Sequence, residues 1–135
     1  LIVKKPNLNN AWGRELSNRL RSYLNLPPVA AAGDGLLNMV IGDDKYLLSL
    51  EAAEVEEVAL LSLMKKTDPF RIGAQLQALL TEAGINKFLP APVHVACKPP
   101  DRLVTMVRIP RRDENQVSRL LDTLFTLYDN IDKKH

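Results

Sequence analysis

The chain has 135 residues, 46% of them hydrophobic and only 5% aromatic, with a formal net charge of +2 and a single cysteine. That length fits one domain with a real, mostly aliphatic core, and the apolar content excludes a disordered chain. No apolar run approaches the roughly 20 residues a membrane helix needs, the mild basicity is not the concentrated stripe of a nucleic-acid binder, and a lone Cys97 excludes a disulfide-stapled secreted module.

The chain opens on residues 1–10, a polar, Pro6-containing lead that reads as a flexible extension. Its Leu1-Ile2-Val3 start is too short for the apolar region of a signal peptide; with Cys97 the one cysteine, a reducing cytoplasm is the default expectation. Asn9 or Asn10 suits a helix N-cap. Trp12, Leu16, Leu20, Tyr23 and Leu24 then share one face at helical spacing, with Arg14, Glu15, Asn18, Arg19 and Arg21 elsewhere. Asn25 and Pro27-Pro28 end that helix, and residues 29–35 are small, as in a linker or loop.

A hairpin follows. Residues 36–41 and 45–50 alternate on either side of Gly42-Asp43-Asp44, a short Gly/Asp turn between two period-2 runs. Both faces of these strands carry apolar residues, which predicts a sheet covered on one side and partly apolar on the other. Leftover apolar surface of that kind marks interaction sites. Residues 51–66 are ambiguous: the Glu, Ala and Leu content favours a helix, while the nearly continuous apolar run 58–64 suits a buried strand, with Glu51, Glu54, Glu56 and Glu57 in the turn before it. The residues alone leave both readings open.

Thr67-Asp68-Pro69 signals a second helix start. Ile72, Leu76, Leu79, Leu80 and Ala83 make its apolar face, and Gly84 is placed to cap its end. Val93, Val95 and Cys97 alternate with His94, Ala96 and Lys98; after the Pro99-Pro100-Asp101 turn, residues 103–109 alternate again and stop at Pro110, forming a second hairpin. Asp113 is placed to cap a last helix whose stripe is Val117, Leu120, Leu121, Leu124, Leu127, Tyr128 and Ile131. The order is helix, two or three strands, helix, two strands, helix, an α+β domain on a mostly antiparallel sheet.

No catalytic, cofactor-binding or metal-ligating constellation emerges. His94 and Cys97 stand three apart in a predicted strand, on opposite faces, and cannot chelate together, whereas zinc takes three or four protein ligands. A nucleophilic Cys97 has no identifiable base. Asp43-Asp44 lacks the alternating oxygens of a calcium loop, and Gly33-Asp34-Gly35 lacks the context of a dinucleotide loop. Arg102, Arg108, Arg111 and Arg112 cluster near the second hairpin, as solvated surface or as a patch for phosphate or an acidic partner.

Three strings resemble the class I chaperones of bacterial type III secretion, the group that includes the chaperone of the translocated intimin receptor. They are the strand–acidic turn–strand Leu37-Asn38-Met39-Val40-Ile41-Gly42-Asp43-Asp44-Lys45-Tyr46, the acidic turn into a Leu-rich strand over residues 49–66, and Val107-Arg108-Ile109-Pro110-Arg111-Arg112 leading to a closing helix. The resemblance covers residues 12–131 and favours the strand reading of 58–64. It departs in charge, since family members are commonly acidic, and residues 1–10 have no counterpart.

The resemblance implies an α-β-β-β-α-β-β-α domain over residues 11–131, with a mostly antiparallel twisted sheet, helices packed on it, and residues 132–135 as a tail. It further implies a cytoplasmic homodimer without catalytic chemistry or cofactor. Such a dimer holds an extended N-terminal segment of a secreted effector, with neither nucleic acid nor membrane as partner. Carried over, Leu76, Leu79 and Leu80 are dimer-interface candidates, and Trp12, Leu16, Leu20, Met39 and Leu48 are effector-binding candidates. Read from their helical faces alone, Trp12, Leu16, Leu20 and the Leu76/Leu79/Leu80 stripe are core. The alternative is a small nucleic-acid-binding or ligand-sensing α+β module.

Overall fold

The computed structural model of the protein describes residues 11–26, 36–43, 45–53, 55–85 and 91–134. The N-cap candidates Asn9 and Asn10, the Pro27-Pro28 helix stop and Gly33-Asp34-Gly35 lie outside them. The elements are α1 (Ala11–Tyr23), β1 (Leu36–Ile41), β2 (Tyr46–Ala53), β3 (Val58–Lys66), α2 (Ile72–Ile85), β4 (Val93–Lys98), β5 (Arg102–Pro110), a 3-10 turn (Arg111–Gln116) and α3 (Val117–Lys134). The five strands form one sheet in the order β1-β2-β3-β5-β4, every neighbour antiparallel. This is the expected α+β architecture.

Local chemistry sets the ends. Asn25, at φ +59°, takes the left-handed conformation after α1; its N–H donates to the Ser22 carbonyl at 3.1 Å and that of Leu26 to Arg21 at 2.7 Å. These bonds satisfy carbonyls the helix end leaves free. Among the described residues of the first hairpin turn, Gly42 (φ +66°) and Asp43 (φ +56°) have positive φ, which explains the Gly/Asp choice there.

All three helices pack on one face of the sheet: α1 over β1 and β2, α3 over β3 and β5, α2 against β4 and α3. Alternate strand residues (Leu48 and Leu50, Leu61 and Leu63, Leu103 and Val107) lie buried beneath them. The whole predicted stripe of α3, from Val117 to Ile131, is buried as well.

Four local expectations change. β2 runs to Ala53, so Glu51 stands in the strand opposite Leu36 and Leu60, and the tight turn is at 55–57 with Glu57 at φ +54°. Asp113 does not cap α3: it sits inside the 3-10 turn at φ −105°, ψ 19°, because the chain winds one tighter turn directly after Pro110. Gly84 lies within α2, whose last residue is Ile85. α3 continues through Lys134, into the stretch expected as a tail, where Asp132 holds the buried Lys65 ammonium at 2.5 Å.

Candidate functional site

The eight residues singled out from sequence divide sharply by exposure. Trp12 is 1% exposed, and Leu16, Leu20 and Leu48 are fully buried, packed between α1, the sheet and α3. The effector-contact assignment is corrected for these four. The face of α1 that carries Trp12, Leu16 and Leu20 is the face that closes the core, and Leu48 lies beneath it on β2, so none of the four offers surface. Trp12 is also fixed in place: its indole N–H donates to the Glu114 carboxylate at 2.6 Å, and the Arg111 guanidinium lies 5.3 Å from its ring centroid. Arg19 reaches the Glu114 carbonyl at 3.0 Å, and Tyr23 donates to Asp122, so α1 is clamped to the 3-10 turn and α3. Met39 is half-buried against the core on the edge strand β1. On α2, Leu79 is buried and Leu76 half-buried, whereas Leu80 is 52% exposed.

Two surfaces stand out instead. The first is the sheet face without helices. Its register lines up Val40, Leu47, Met64, Val104 and Ala96 as one apolar row crossing all five strands. Val40 there is 59% exposed. The neighbouring row is Asn38, Ser49, Ser62, Met106 and His94, in which the Ser49 hydroxyl donates to the Asn38 amide oxygen at 2.8 Å. A shallow depression of about 310 Å³ opens there between Asn38, Ser49, Leu60, Ser62 and Met106. The face is bounded by β1, on whose outer side no described strand pairs. β1 carries neither charge nor proline, and such an edge offers free N–H and C=O groups to an added strand.

The second is the outside of α2. Gly73, Ala74, Gln77, Leu80, Thr81 and Gly84 are exposed, and none is ionisable; the one carboxylate of the helix, Glu82, is buried. A Cβ added at Gly73 or Gly84 would meet nothing within 4 Å. Phe70, in the turn before the helix, is 97% exposed. An uncharged helix face beside an exposed aromatic ring is unusual for a solvated surface.

The shifted titrations belong to the scaffold. Burial, reinforced by the Asp129 and Asp132 charges, pushes the Tyr46 hydroxyl up to about 12; its ring meets Phe125 edge-on, centroids 5.1 Å apart. Burial likewise pushes Tyr128 up, while its hydroxyl donates to the Leu63 carbonyl at 2.7 Å. The hydrogen bond to the Asp122 carboxylate raises exposed Tyr23. His94 is exposed on the open face and Cys97 half-buried on the covered one, on opposite sides as their spacing requires. Among the described residues no three metal-ligating side chains converge, and no helix is long and apolar enough to cross a membrane.

Neither a family model nor a curated protein matches the sequence. Solved structures do match in fold. A chain of the HopA1-SchA chaperone-effector complex superposes with a TM-score of 0.60 at 22% identity, over 98% of this chain and 99% of that one. A chain of the ExsC-ExsE complex superposes with a TM-score of 0.57 at 14% identity, over 90% and 94%. The chain thus has the class I type III secretion chaperone-like fold that the three strings resemble.

Proposed function

We propose that the protein is a cytoplasmic type III secretion chaperone: a non-enzymatic homodimer that binds an extended N-terminal segment of a secreted effector and keeps it soluble and export-competent. The observation that carries this reading is the match, over almost its full length, to a chain of a chaperone-effector complex. The apolar surface left on both the sheet and α2 supports it.

The outside of α2 is the proposed dimer contact. Leu80 and Phe70 supply exposed apolar area, Leu76 its half-buried margin, and Gly73 and Gly84 let a second helix come close. Leu79 acts from beneath by fixing the helix on α3 and the sheet. The client surface is the open sheet face together with the β1 edge, where Met39 and Val40 stand in place of Trp12, Leu16, Leu20 and Leu48. An extended segment adds its backbone to the edge while alternate side chains find apolar ground. Ordering such a segment is entropically unfavourable, so a large area is needed, and two subunits double it.

The test is co-expression with a candidate effector, sought first as a secreted protein encoded beside this gene. The expected result is a complex of two chaperones with the effector's N-terminal segment, that segment cleaved by protease when free and protected when bound. Light scattering on the isolated protein is expected to give a dimer that Leu80→Glu converts to monomer. A wild-type monomer at micromolar concentration, or a client bound as a folded globule, would count against the reading.

A further inference from the structure

Like charges directly opposite one another on neighbouring strands repel and weaken a sheet. One row of the open face does this twice: Lys66 stands opposite Arg102, and Arg102 opposite Lys98. Lys66 and Lys98 are exposed and Arg102 half-buried. Arg102 Nε lies 3.8 Å from the Asp101 carboxylate; among the described residues neither lysine has an ion-pair partner. Two carboxylates nearby are engaged elsewhere. Asp132 holds Lys65 and Lys45 on the covered side, and Asp68 accepts the Phe70 N–H. Glu51, on the same face, is three side-chain rows away, about 20 Å along the strands. The repulsion is therefore built into the folded subunit, and among the described residues only the Arg102–Asp101 pair offsets it.

The apolar row Val40–Leu47–Met64–Val104–Ala96 lies two residues along each strand from these cations, about 7 Å away. Crossing five strands, it spans about 19 Å, the length of roughly 13 helical residues. The 7 Å offset is close to the radius of a helix with its side chains, about 5–6 Å. An amphipathic helix laid along the apolar row brings one flank over Lys66, Arg102 and Lys98. Resting on the chaperone reading above, we propose that the client carries an acidic amphipathic helix here, its apolar stripe on the row and its carboxylates on the three cations. A nucleic acid fits less well. No described Phe, Tyr or Trp faces this side for base stacking, and a phosphate backbone would leave the apolar row wet.

Three labelled peptides of about 18 residues, helical and identical in their Leu/Val stripe, carry Glu, Gln or Lys along one flank. In fluorescence anisotropy at low salt, the Glu peptide is expected to bind about tenfold or more tightly than the Gln peptide, the gap closing at high salt. Lys66→Glu/Lys98→Glu/Arg102→Glu is expected to reverse the preference toward the Lys peptide. Lys66→Gln/Lys98→Gln is expected to abolish it without lowering the melting temperature, since the repulsion goes too. Equal binding of the Glu and Gln peptides overturns the proposal. So do a Glu preference that survives the reversal, tighter binding of an oligonucleotide, and no peptide binding at millimolar concentration. The chaperone reading fails separately. A natural client held equally by wild type and the triple variant overturns only the acidic-helix inference.

Discussion

The two faces of this sheet are made by the same strands from similar residues, yet one is closed and the other open. On β2 and β3, Leu48, Leu50, Leu61 and Leu63 point into the core, while Leu47, Leu60 and Met64, their immediate neighbours in sequence, point out. Strand composition does not decide which face is covered; the amphipathic stripes of α1 and α3 do, since both helices need a partner for a wide apolar face. Once they have taken one side, the other keeps whatever apolar residues it has.

The largest test of that contrast compares adjacent leucines. Leu61→Ala is expected to destabilise by about 2–5 kcal/mol in urea unfolding, the range for a fully buried leucine. Leu60→Ala, one residue away, is expected to change stability by about 0.5 kcal/mol or less. Equal costs would mean that the open face is covered in the folded protein.

A charged pair sharpens the same comparison at smaller scale. Lys65 is buried on the covered face with Asp132 at 2.5 Å, and Lys66 is exposed on the other. Asp132→Asn leaves a buried ammonium poorly answered and is expected to cost about 1–3 kcal/mol. Lys65→Met keeps the packing without the charge and is expected to be near neutral. Lys66→Met should lower neither the urea midpoint nor its slope.

Much of this was legible in the sequence, and the rest was hidden for a definable reason. Element order, both hairpins and the full α3 stripe follow from periodicity and turn residues. β3 did not: Glu, Ala and Leu pull residues 51–66 toward a helix, and the family resemblance tipped them to a strand. Long-range pairing then fixes β3 between β2 and β5. The site was less legible. Trp12, Leu16 and Leu20 are the most apolar face of α1, and that property draws them into the core. Exposure belongs to the packed molecule, so a single sequence does not tell a core leucine from a binding one. One signal was available: from Ile72 to Ile85 the only ionisable residue is Glu82, which marks α2 as a helix with no charged side for water.

The tyrosines test the faces by titration. Tyr46 has its hydroxyl raised to about 12 from the model-peptide value of 10.0, chiefly by burial. A folded pKa above the unfolded one means that the neutral form is favoured by folding. Its contribution is complete below pH 10 and is lost as pH rises from 10 to about 12. Stability measured by urea midpoint is expected to fall across that window, and Tyr46→Phe to flatten part of the fall. Tyr23, raised instead through its bond to Asp122 on the surface, is expected to matter little when changed to Phe. A Tyr46→Phe variant with an unaltered alkaline limb would place that ring in water.

The smallest expected effect concerns the proposed contact on α2. In a lone subunit, Gly73→Ala adds a methyl to open space and removes a flexible residue from a helix. It is expected to stabilise the subunit by a few tenths to about 1 kcal/mol. In a dimer packed through that face the same methyl intrudes where two backbones approach, and association is expected to weaken. The two effects have opposite signs and separate on dilution. Thermal unfolding at low concentration should rise, while the concentration at which light scattering shows half dimer also rises. If both measurements report stabilisation, the glycine face of α2 is plain solvent-facing helix and the subunits meet elsewhere.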